Sequence, residues 1–330
     1  MDAYIKNISY YLPEKIVTND ELAAEFPEWP ADKIFHKVGI RERHVAAENE
    51  TATDMAEQAA LKLFASGTKR EDIDFILFCT QSPDYKLPPS ACILQNRLEL
   101  SQKVGALDFD LGCSGYVYGL LLAKGLIVAG MAQNVLLLTS ETYNKYIHSS
   151  DKGNRTIFGD GASATLVSIN GRARIGNFAF GTDGKGANDL IVPNGGAKNS
   201  MGTANGIADK DIAHPDYIFM DGADVFAFTL RQVPALMHQV MEANGDSIEE
   251  IDKFVFHQAN KYMLDFLKKK MHIPDEKMYY NLEHIGNTVS STIPIALLDA
   301  WNTLDILPGN KVAIAGFGVG LSWAGTELYF

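Results

Sequence analysis

An internal repeat constrains the fold of this chain of 330 residues more than any other feature. An acidic turn runs into a continuous apolar segment at residues 71–78, and the same pattern returns at 249–256. In both places a segment of helical spacing, a glycine-containing turn, an apolar helix and a second apolar run follow, and corresponding positions lie 174 to 178 residues apart. Unbroken apolar strands that alternate with helices are typical of sheets covered on both faces. The repeat therefore predicts two similar α/β halves, residues 1–170 and 171–330.

Each half places a polar side chain at a strand-to-helix junction. Cys113 lies in a Gly-Cys-Ser-Gly turn of the first half, and Asn287 occupies the matching turn of the second half. His257 directly follows the apolar run 253–256. Because ligands bind at the carboxyl ends of strands in α/β sheets, we expect the three side chains to share one site. A thiolate nucleophile with two hydrogen-bond donors suits chemistry in which an oxyanion develops.

Each of these residues also has an ordinary structural interpretation. A core histidine is the alternative for His257, and a helix cap is the alternative for Asn287. For Cys113 the alternative is a small buried apolar residue, which is what we expect of Cys79 and Cys92. The helix predicted at 116–131 is apolar nearly all round and should be buried, and a helix N-terminus lowers the pKa of a thiol. These points favour a reactive thiolate at Cys113, facing a dry cavity.

The composition excludes several other classes of protein. The net charge of −12 argues against general nucleic-acid binding, which depends on neutralising phosphates. The apolar helix after Cys113 is interrupted by Lys124 and by glycines, so no segment predicts a membrane span. The N-terminus lacks the pattern of a signal peptide, and three cysteines favour a reducing compartment. The histidines show no metal-ligand spacing. We therefore expect a cytoplasmic globular protein without a bound metal.

One long polar stretch interrupts the second half. Residues 181–215 are rich in glycine and asparagine and show no strand or helix period. A loop of this length in a compact domain is typically a lid or a binding loop, or is disordered. The stretch begins just beyond the expected junction between the halves.

Several ordered motifs extend these observations along nearly the whole chain. They are Tyr11-Leu12-Pro13-Glu14, Gly39-Ile40-Arg41-Glu42-Arg43-His44, Pro89-Ser90-Ala91-Cys92, Phe158-Gly159-Asp160-Gly161-Ala162, His257-Gln258-Ala259-Asn260, Gly286-Asn287-Thr288 and Gly316-Phe317-Gly318-Val319-Gly320. With these motifs the chain resembles the β-ketoacyl-acyl carrier protein (ACP) synthase III family of condensing enzymes. The resemblance implies the thiolase fold, a duplicated five-layered αβαβα sandwich, and a homodimer.

The resemblance also implies a decarboxylative Claisen condensation. Cys113 would carry an acyl group from an acyl-coenzyme A or acyl-ACP primer, with the backbone N–H groups of Cys113 and Val319 as the oxyanion hole. Malonyl-ACP would then lose carbon dioxide, while His257 Nε2 and Asn287 Nδ2 donate to the enolate oxygen. No metal or organic cofactor is implied. The acyl pocket would include Leu87, Phe158 and Phe317, with Leu87 standing where a phenylalanine often reaches the partner subunit's pocket.

Departures from the family pattern concern the binding of substrate. Lys33 stands where a tryptophan often stacks on adenine, Lys37 and Lys152 replace arginines, and Ala223 replaces an asparagine of the pantetheine channel. Because lysine cannot make the bidentate phosphate contacts of arginine, these changes favour a carrier-bound or unusual primer over acetyl-coenzyme A.

Docking of the acidic carrier would use a local basic patch on this acidic chain. The candidates are Lys261, Lys269 and Lys270, although Tyr262 stands where the family has a docking arginine. The alternative for residues 268–270 is that they only complement the negative end of a helix.

Single residues separate the neighbouring classes of enzyme. Thiolases use a second cysteine near the C-terminal glycine turn, and none follows Cys113; elongating synthases use a second histidine where this chain has Asn287. The glutamate of hydroxymethylglutaryl-type synthases has no clear counterpart. A papain-like protease has its catalytic Cys, His and Asn in the same order along the chain. Its cysteine lies near the mature N-terminus, however, whereas Cys113 lies more than a hundred residues into this sequence. A non-condensing acyltransferase and a catalytically silent scaffold on the same fold remain the alternatives.

Overall fold

The computed structural model describes residues 2–203, 210 and 212–330. In this part of the chain there are thirteen strands: β1 (Tyr4–Tyr11), β2 (Ile16–Thr18), β3 (Glu42–His44), β4 (Phe75–Cys79), β5 (Gly105–Phe109), β6 (Asn134–Glu141), β7 (Gly161–Ser168), β8 (Ala173–Thr182), β9 (Leu190–Ile191), β10 (Phe219–Met220), β11 (Lys253–Phe256), β12 (Lys311–Gly318) and β13 (Ser322–Tyr329). The same part contains nine α-helices: α1 (Asn19–Glu25), α2 (Ala31–Val38), α3 (Ala52–Ala65), α4 (Ser90–Arg97), α5 (Gly115–Val128), α6 (Lys152–Arg155), α7 (Gly222–Asn244), α8 (Lys261–Lys270) and α9 (Thr292–Asn302).

Nine of the strands form one mixed sheet in the order β11-β12-β13-β8-β1-β7-β6-β4-β5. The strands β4, β5 and β6 run parallel, and β7 and β1 continue the sheet antiparallel. The other side repeats this scheme, since β11 and β12 are parallel while β13 and β8 are antiparallel additions. The two sets join through a short pairing of β1 with β8, at Tyr4–Arg174 and Ile5–Ala173. Counted outwards from the junction of β1 and β8, the strands β7, β6 and β4 on one side therefore correspond to β13, β12 and β11 on the other.

Helices cover both sets of strands and also fill the space between them. The helices α3 and α4 pack on the N-terminal strands, and α7 and α8 lie on the C-terminal side. The helices α5 and α9 lie between the two sets, in one apolar cluster with residues from both. Because α5 contacts strands on either side, its sequence is apolar on nearly every face. The result is the expected five-layered αβαβα arrangement.

The sequence predicted the main elements of both halves. The apolar runs became β4 and β11, the segments of helical spacing became α4 and α8, and the buried helix after Cys113 became α5. The polar stretch 181–215 begins at the end of β8, contains β9, and includes residues 204–209 and 211, which lie outside the described residues. None of the described helices is both long and apolar enough to cross a lipid bilayer. The boundary near residue 170 stays a prediction; β7 ends at Ser168 and β8 begins at Ala173.

Two glycines of α5 provide a matched test of how this helix packs on the strands of the first half. A Cβ atom on Gly119 would lie 2.5 Å from Leu137 Cδ1, whereas a Cβ on the exposed Gly125 would meet nothing within 4 Å. We expect Gly119→Ala to destabilise the protein by about 1–2 kcal/mol, because overpacking outweighs the gain in helix propensity. Gly125→Ala should stabilise it by about 0.5–1 kcal/mol. Calorimetric melting temperatures should fall on opposite sides of the parent, and equal shifts would contradict this account.

Candidate active site

Three polar side chains from both halves meet at one cavity. Cys113 lies in the turn before α5, His257 directly follows β11, and Asn287 lies in the turn before α9. All three line a cavity of about 350 Å³. They are nearly buried, with exposed fractions of 6%, 2% and 3% respectively. The structure therefore brings together the three residues that the repeat pointed to.

The cavity around them is mostly apolar. Phe158 and Phe317 line it, and the Phe317 ring meets the His257 ring edge-on with 5.7 Å between centroids. Their expected role in an acyl pocket stays a prediction. Leu87 is 82% exposed and does not line this cavity in a single chain. Its expected role in a partner subunit's pocket stays a prediction.

Burial dominates the chemistry of Cys113. Removal from water, with the Glu141 carboxyl nearby as a smaller contribution, raises the pKa of the Cys113 thiol to about 12. Backbone hydrogen bonds from Val319 and from Cys113 itself act in the opposite direction, as donors that favour the thiolate. The prediction that the helix N-terminus lowers the thiol pKa was wrong, because burial destabilises the thiolate more than these donors stabilise it. Cys113 is a neutral thiol at neutral pH.

The buried carboxyl of Glu141 was not foreseen from the sequence. It ends β6 and is fully buried, with both oxygens accepting from the Gln81 backbone N–H at 3.0 Å. The Ser82 hydroxyl also donates to it at 2.9 Å. Burial raises the pKa of Glu141 well above its usual range. A glutamate after an apolar run, at the carboxyl end of a strand, was the available signal.

His257 is held by a hydroxyl that can act in either direction. Its Nδ1 lies 2.8 Å from the Thr292 Oγ1, which lies 3.0 Å from the Val289 carbonyl oxygen. When the hydroxyl donates to that carbonyl, Nδ1 must carry the proton and Nε2 is a base; when it donates to Nδ1, Nε2 carries the proton. Burial lowers the pKa of His257 to about 3, so the ring is neutral in both forms.

The orientation of the Asn287 amide follows from its hydrogen bonds. Its Oδ1 accepts from the Val289 backbone N–H at 2.9 Å, and its Nδ2, without a partner among the described residues, can donate toward the cavity. Val289 adopts a φ of 55°, a conformation that a β-branched residue rarely takes. The backbone N–H of Asn287 donates to the Ile157 carbonyl at 2.9 Å, which ties this turn to the first half. The second half therefore orients the side-chain amide of Asn287, while the first half holds its backbone.

Comparisons with known proteins agree with this geometry. The family models described as 3-oxoacyl-[acyl-carrier-protein] synthase III and its C-terminal region match residues 107–184 and 241–330. A relative from Caldanaerobacter subterraneus subsp. tengcongensis, named β-ketoacyl-[acyl-carrier-protein] synthase III, is 34% identical over 96% of this chain and 95% of its own. The chain belongs to the 3-oxoacyl-ACP synthase III family.

Solved structures of such synthases have the same fold. A crystal structure of a 3-oxoacyl-ACP synthase III, 50% identical, superposes with a TM-score of 0.95 over 100% of both chains. A 3-oxoacyl-ACP synthase from Burkholderia xenovorans LB400, 36% identical, gives a TM-score of 0.91 over 100% of this chain and 94% of its own. The predicted thiolase fold is confirmed.

The basic candidates for docking of a synthase III carrier lie along α8. Lys261 begins this helix and forms an ion pair with Asp265, with 2.7 Å between Nζ and Oδ2. Lys269 and Lys270 end it and are exposed, with no ion-pair partner among the described residues. Exposed Tyr262 stacks on Phe226, which also lines the cavity, with 5.5 Å between ring centroids. This helix thus presents aromatic rings at the cavity and charge at its far end.

A tryptophan that the sequence analysis passed over lies among lysines. Trp29 is partly buried, and its ring centroid lies 4.3 Å from Lys37 Nζ, 5.5 Å from Lys152 Nζ and 6.0 Å from Lys33 Nζ. An aromatic face surrounded by cations suits a base that carries phosphates. The replacement of the family's tryptophan by Lys33 stays a prediction, but Trp29 places an aromatic ring within reach of the same lysines.

One of the other cysteines was also misjudged. Cys79 is buried, as expected, but Cys92 is exposed on α4. It has to be removed from any experiment on thiol reactivity.

The raised pKa of Cys113 predicts its reaction with iodoacetamide in a Cys92→Ser background. Because the folded thiol titrates near pH 12, the thiolate fraction and the alkylation rate should rise about tenfold per pH unit from pH 7 to pH 9. A thiolate–imidazolium pair would instead give a plateau over that range. The rate at Cys113 can be followed by peptide mass spectrometry, with Cys113→Ala as the blank.

Proposed function

We propose that this chain condenses an acyl primer with malonyl-ACP to form a β-ketoacyl-ACP, through an acyl group on Cys113. The observation that carries the proposal is the joint placement of a buried thiol, a neutral imidazole and an asparagine amide whose Nδ2 is left free. Pure acyl transfer needs no second donor for an enolate, so Asn287 favours condensation over the non-condensing alternative. The names of the relatives in this family support the same reaction.

In the first stage Cys113 acquires the acyl group. His257 acts in the form with a bare Nε2 and takes the thiol proton as Sγ attacks the thioester carbonyl. The backbone N–H groups of Cys113 and Val319 donate to the oxyanion of the tetrahedral intermediate. The intermediate collapses, and the leaving thiolate of the primer takes the proton back. Because both groups start neutral, no charge has to be maintained in the dry cavity before substrate binds.

In the second stage malonyl-ACP replaces the departed thiol. The neutral His257 ring first changes tautomer by exchange with solvent, losing the proton on Nδ1 and gaining one on Nε2, and the Thr292 hydroxyl turns toward Nδ1. His257 then presents Nε2–H together with Asn287 Nδ2–H to the malonyl thioester oxygen. The carboxylate leaves as carbon dioxide, and its bonding electrons form an enolate that accepts both hydrogen bonds. The enolate carbon attacks the acyl carbonyl on Cys113, and Sγ leaves as a thiolate that takes a proton from solvent to regenerate the neutral thiol.

The proposed partners follow from the surfaces around this site. Lys261, Lys269 and Lys270 form the proposed docking surface for malonyl-ACP, and the lysines around Trp29 would bind the nucleotide of an acyl-coenzyme A primer. The edge strand β5 is unpaired on one side in a single chain, and a second copy pairing there would give the homodimer. The proposed location is the cytoplasm.

Intact-protein mass spectrometry tests the reaction directly. The protein is mixed with acyl-coenzyme A and acyl-ACP thioesters, and malonyl-ACP is then added. We expect an acyl adduct that Cys113→Ala abolishes and that malonyl-ACP discharges as β-ketoacyl-ACP. An adduct that malonyl-ACP leaves in place would overturn the condensation and favour acyl transfer; no adduct from any primer would point to a silent scaffold.

Variants of the two donors separate the stages. Asn287→Ala should still form the acyl adduct at a rate within a few-fold of the parent, but discharge it about 100-fold or more slowly, because removing one oxyanion donor typically costs that much. His257→Ala should slow both stages. His238→Ala, an exposed histidine of α7, is the control that should change neither rate. Equal loss of both stages in Asn287→Ala would contradict the role given to its amide.

Reversal of charge at the end of α8 tests carrier docking. The double variant Lys269→Glu and Lys270→Glu should raise the KM for malonyl-ACP about tenfold or more at low salt, with kcat nearly unchanged, since only long-range attraction is lost. The same change at exposed Lys69 and Lys103 serves as the control. A KM that is unchanged, or an effect that added salt does not reduce, would leave these lysines as simple helix-end charges.

A further inference from the structure

A second and larger cavity lies behind the nucleophile. It has a volume of about 660 Å³ and is lined by Val319, by β9 and by glycine-rich residues that follow it. Leu190 lines both cavities. Across the same boundary, the ring of Phe158 in the first cavity packs on the ring of Tyr143 in the second, with 5.3 Å between centroids. The two spaces therefore adjoin at Leu190 and at the contact between Phe158 and Tyr143.

This second cavity carries a connected set of polar side chains on the wall next to the nucleophile. The hydroxyl of Tyr143, which is only 5% exposed, donates to Gln81 Oε1. Gln81 Nε2 in turn donates to Asp110 Oδ1 at 2.9 Å. The backbone of Gln81 is fixed by its N–H donation to both oxygens of buried Glu141. Buried Glu141 therefore fixes the position of Gln81, the central member of the set.

Two members of this polar set, Gln81 and Tyr143, lie beside the acyl-carrying residue, while Asp110 is exposed. A Cβ atom on Gly112, which precedes Cys113, would lie 2.7 Å from Gln81 Oε1 and 3.2 Å from the Tyr143 hydroxyl oxygen. The same position would be 2.7 Å from a methyl carbon of Val319, whose backbone donates to the Cys113 sulfur. An acyl chain that leaves the sulfur toward this cavity passes these groups with its first carbons.

Hydrogen-bonding capacity remains in all three side chains. Gln81 has a second Nε2–H, Tyr143 has a free lone pair on its hydroxyl oxygen, and Asp110 keeps a second oxygen without a partner among the described residues. An unsubstituted alkyl chain packed here would remove these groups from water without replacing their hydrogen bonds. A site built in this way discriminates strongly against a ligand that lacks the matching polar group.

We propose that the Tyr143–Gln81–Asp110 set selects a primer whose acyl chain carries a neutral oxygen, a hydroxyl or keto group, near the thioester. This inference rests on the proposed function, since it assumes an acyl group on Cys113. The adjacent Asp110 disfavours a carboxylate on the chain, because a second anion would be brought close to its oxygens. Tyr143 and Gln81 are specificity residues that contact the acyl chain.

Competition between matched primers tests this selection. Equal amounts of hexanoyl thioester and one of its 3-hydroxy, 3-oxo or 5-hydroxy derivatives are mixed with the protein, as coenzyme A and as ACP thioesters, and the ratio of adducts on Cys113 is read by intact-protein mass spectrometry. We expect a 3-oxygenated adduct to be favoured by about tenfold or more, which corresponds to one hydrogen bond left unmade by the plain chain.

Variants assign the preference to its residues. Tyr143→Phe should reduce the ratio by about tenfold while hexanoyl loading persists, and Gln81→Leu should act in the same direction. Tyr11→Phe, which removes a hydroxyl bonded to Glu50 at 2.9 Å elsewhere in the fold, should leave the ratio unchanged. Because the readout is a ratio within one sample, a general loss of activity does not mimic the effect.

The outcomes separate this inference from the proposed function. A parent ratio near one, or a ratio that Tyr143→Phe does not change, overturns the selection while leaving condensation intact. A preference for the 5-hydroxy chain alone overturns the placement near the thioester. The absence of any adduct on Cys113 overturns the proposed function, and this inference with it.

Discussion

The close backbone contact between β12 and the turn at Cys113 is the constraint on which the site depends. A Cβ atom on Gly316 would lie 2.8 Å from the Cys113 carbonyl oxygen, and one on Gly318 would lie 2.8 Å from the Cys113 Cβ. Only glycine permits this approach. It brings the Val319 N–H from the second half to a sulfur of the first half. Without it, neither the oxyanion donors nor the shared cavity would exist.

The same contact excludes water from the site, and this burial determines the protonation states of Cys113 and His257. The pKa of Cys113 is raised and the pKa of His257 is lowered, both chiefly by burial, so the pair rests in its neutral form. The arrangement differs from a thiolate–imidazolium pair, in which the nucleophile is charged before substrate arrives. In the mechanism that we propose, charge develops only during reaction, and the backbone and amide donors are already in place to stabilise it.

The sequence predicted the positions in the chain better than the environment of each residue. Cys113, His257 and Asn287 could be found because the repeat placed them at equivalent junctions, and strand ends meet at one edge of a sheet. The prediction of a lowered thiol pKa was wrong because the helix end was visible in the sequence whereas the depth of burial was not. The prediction that Cys92 is buried was wrong for a similar reason, since an apolar neighbourhood in the sequence does not say which face of a helix is exposed.

By itself the sequence determined the duplicated architecture, the family and the three side chains proposed to react, since these follow from periodicity and from motifs that are local in the chain. Only the tertiary structure decided how Gln81, Tyr143 and Asp110 meet near Cys113, and how Lys152 of α6 reaches Trp29. These groups come from segments far apart in the chain with no shared motif. Their chemistry arises from distance and burial, which exist only once the two halves have packed together.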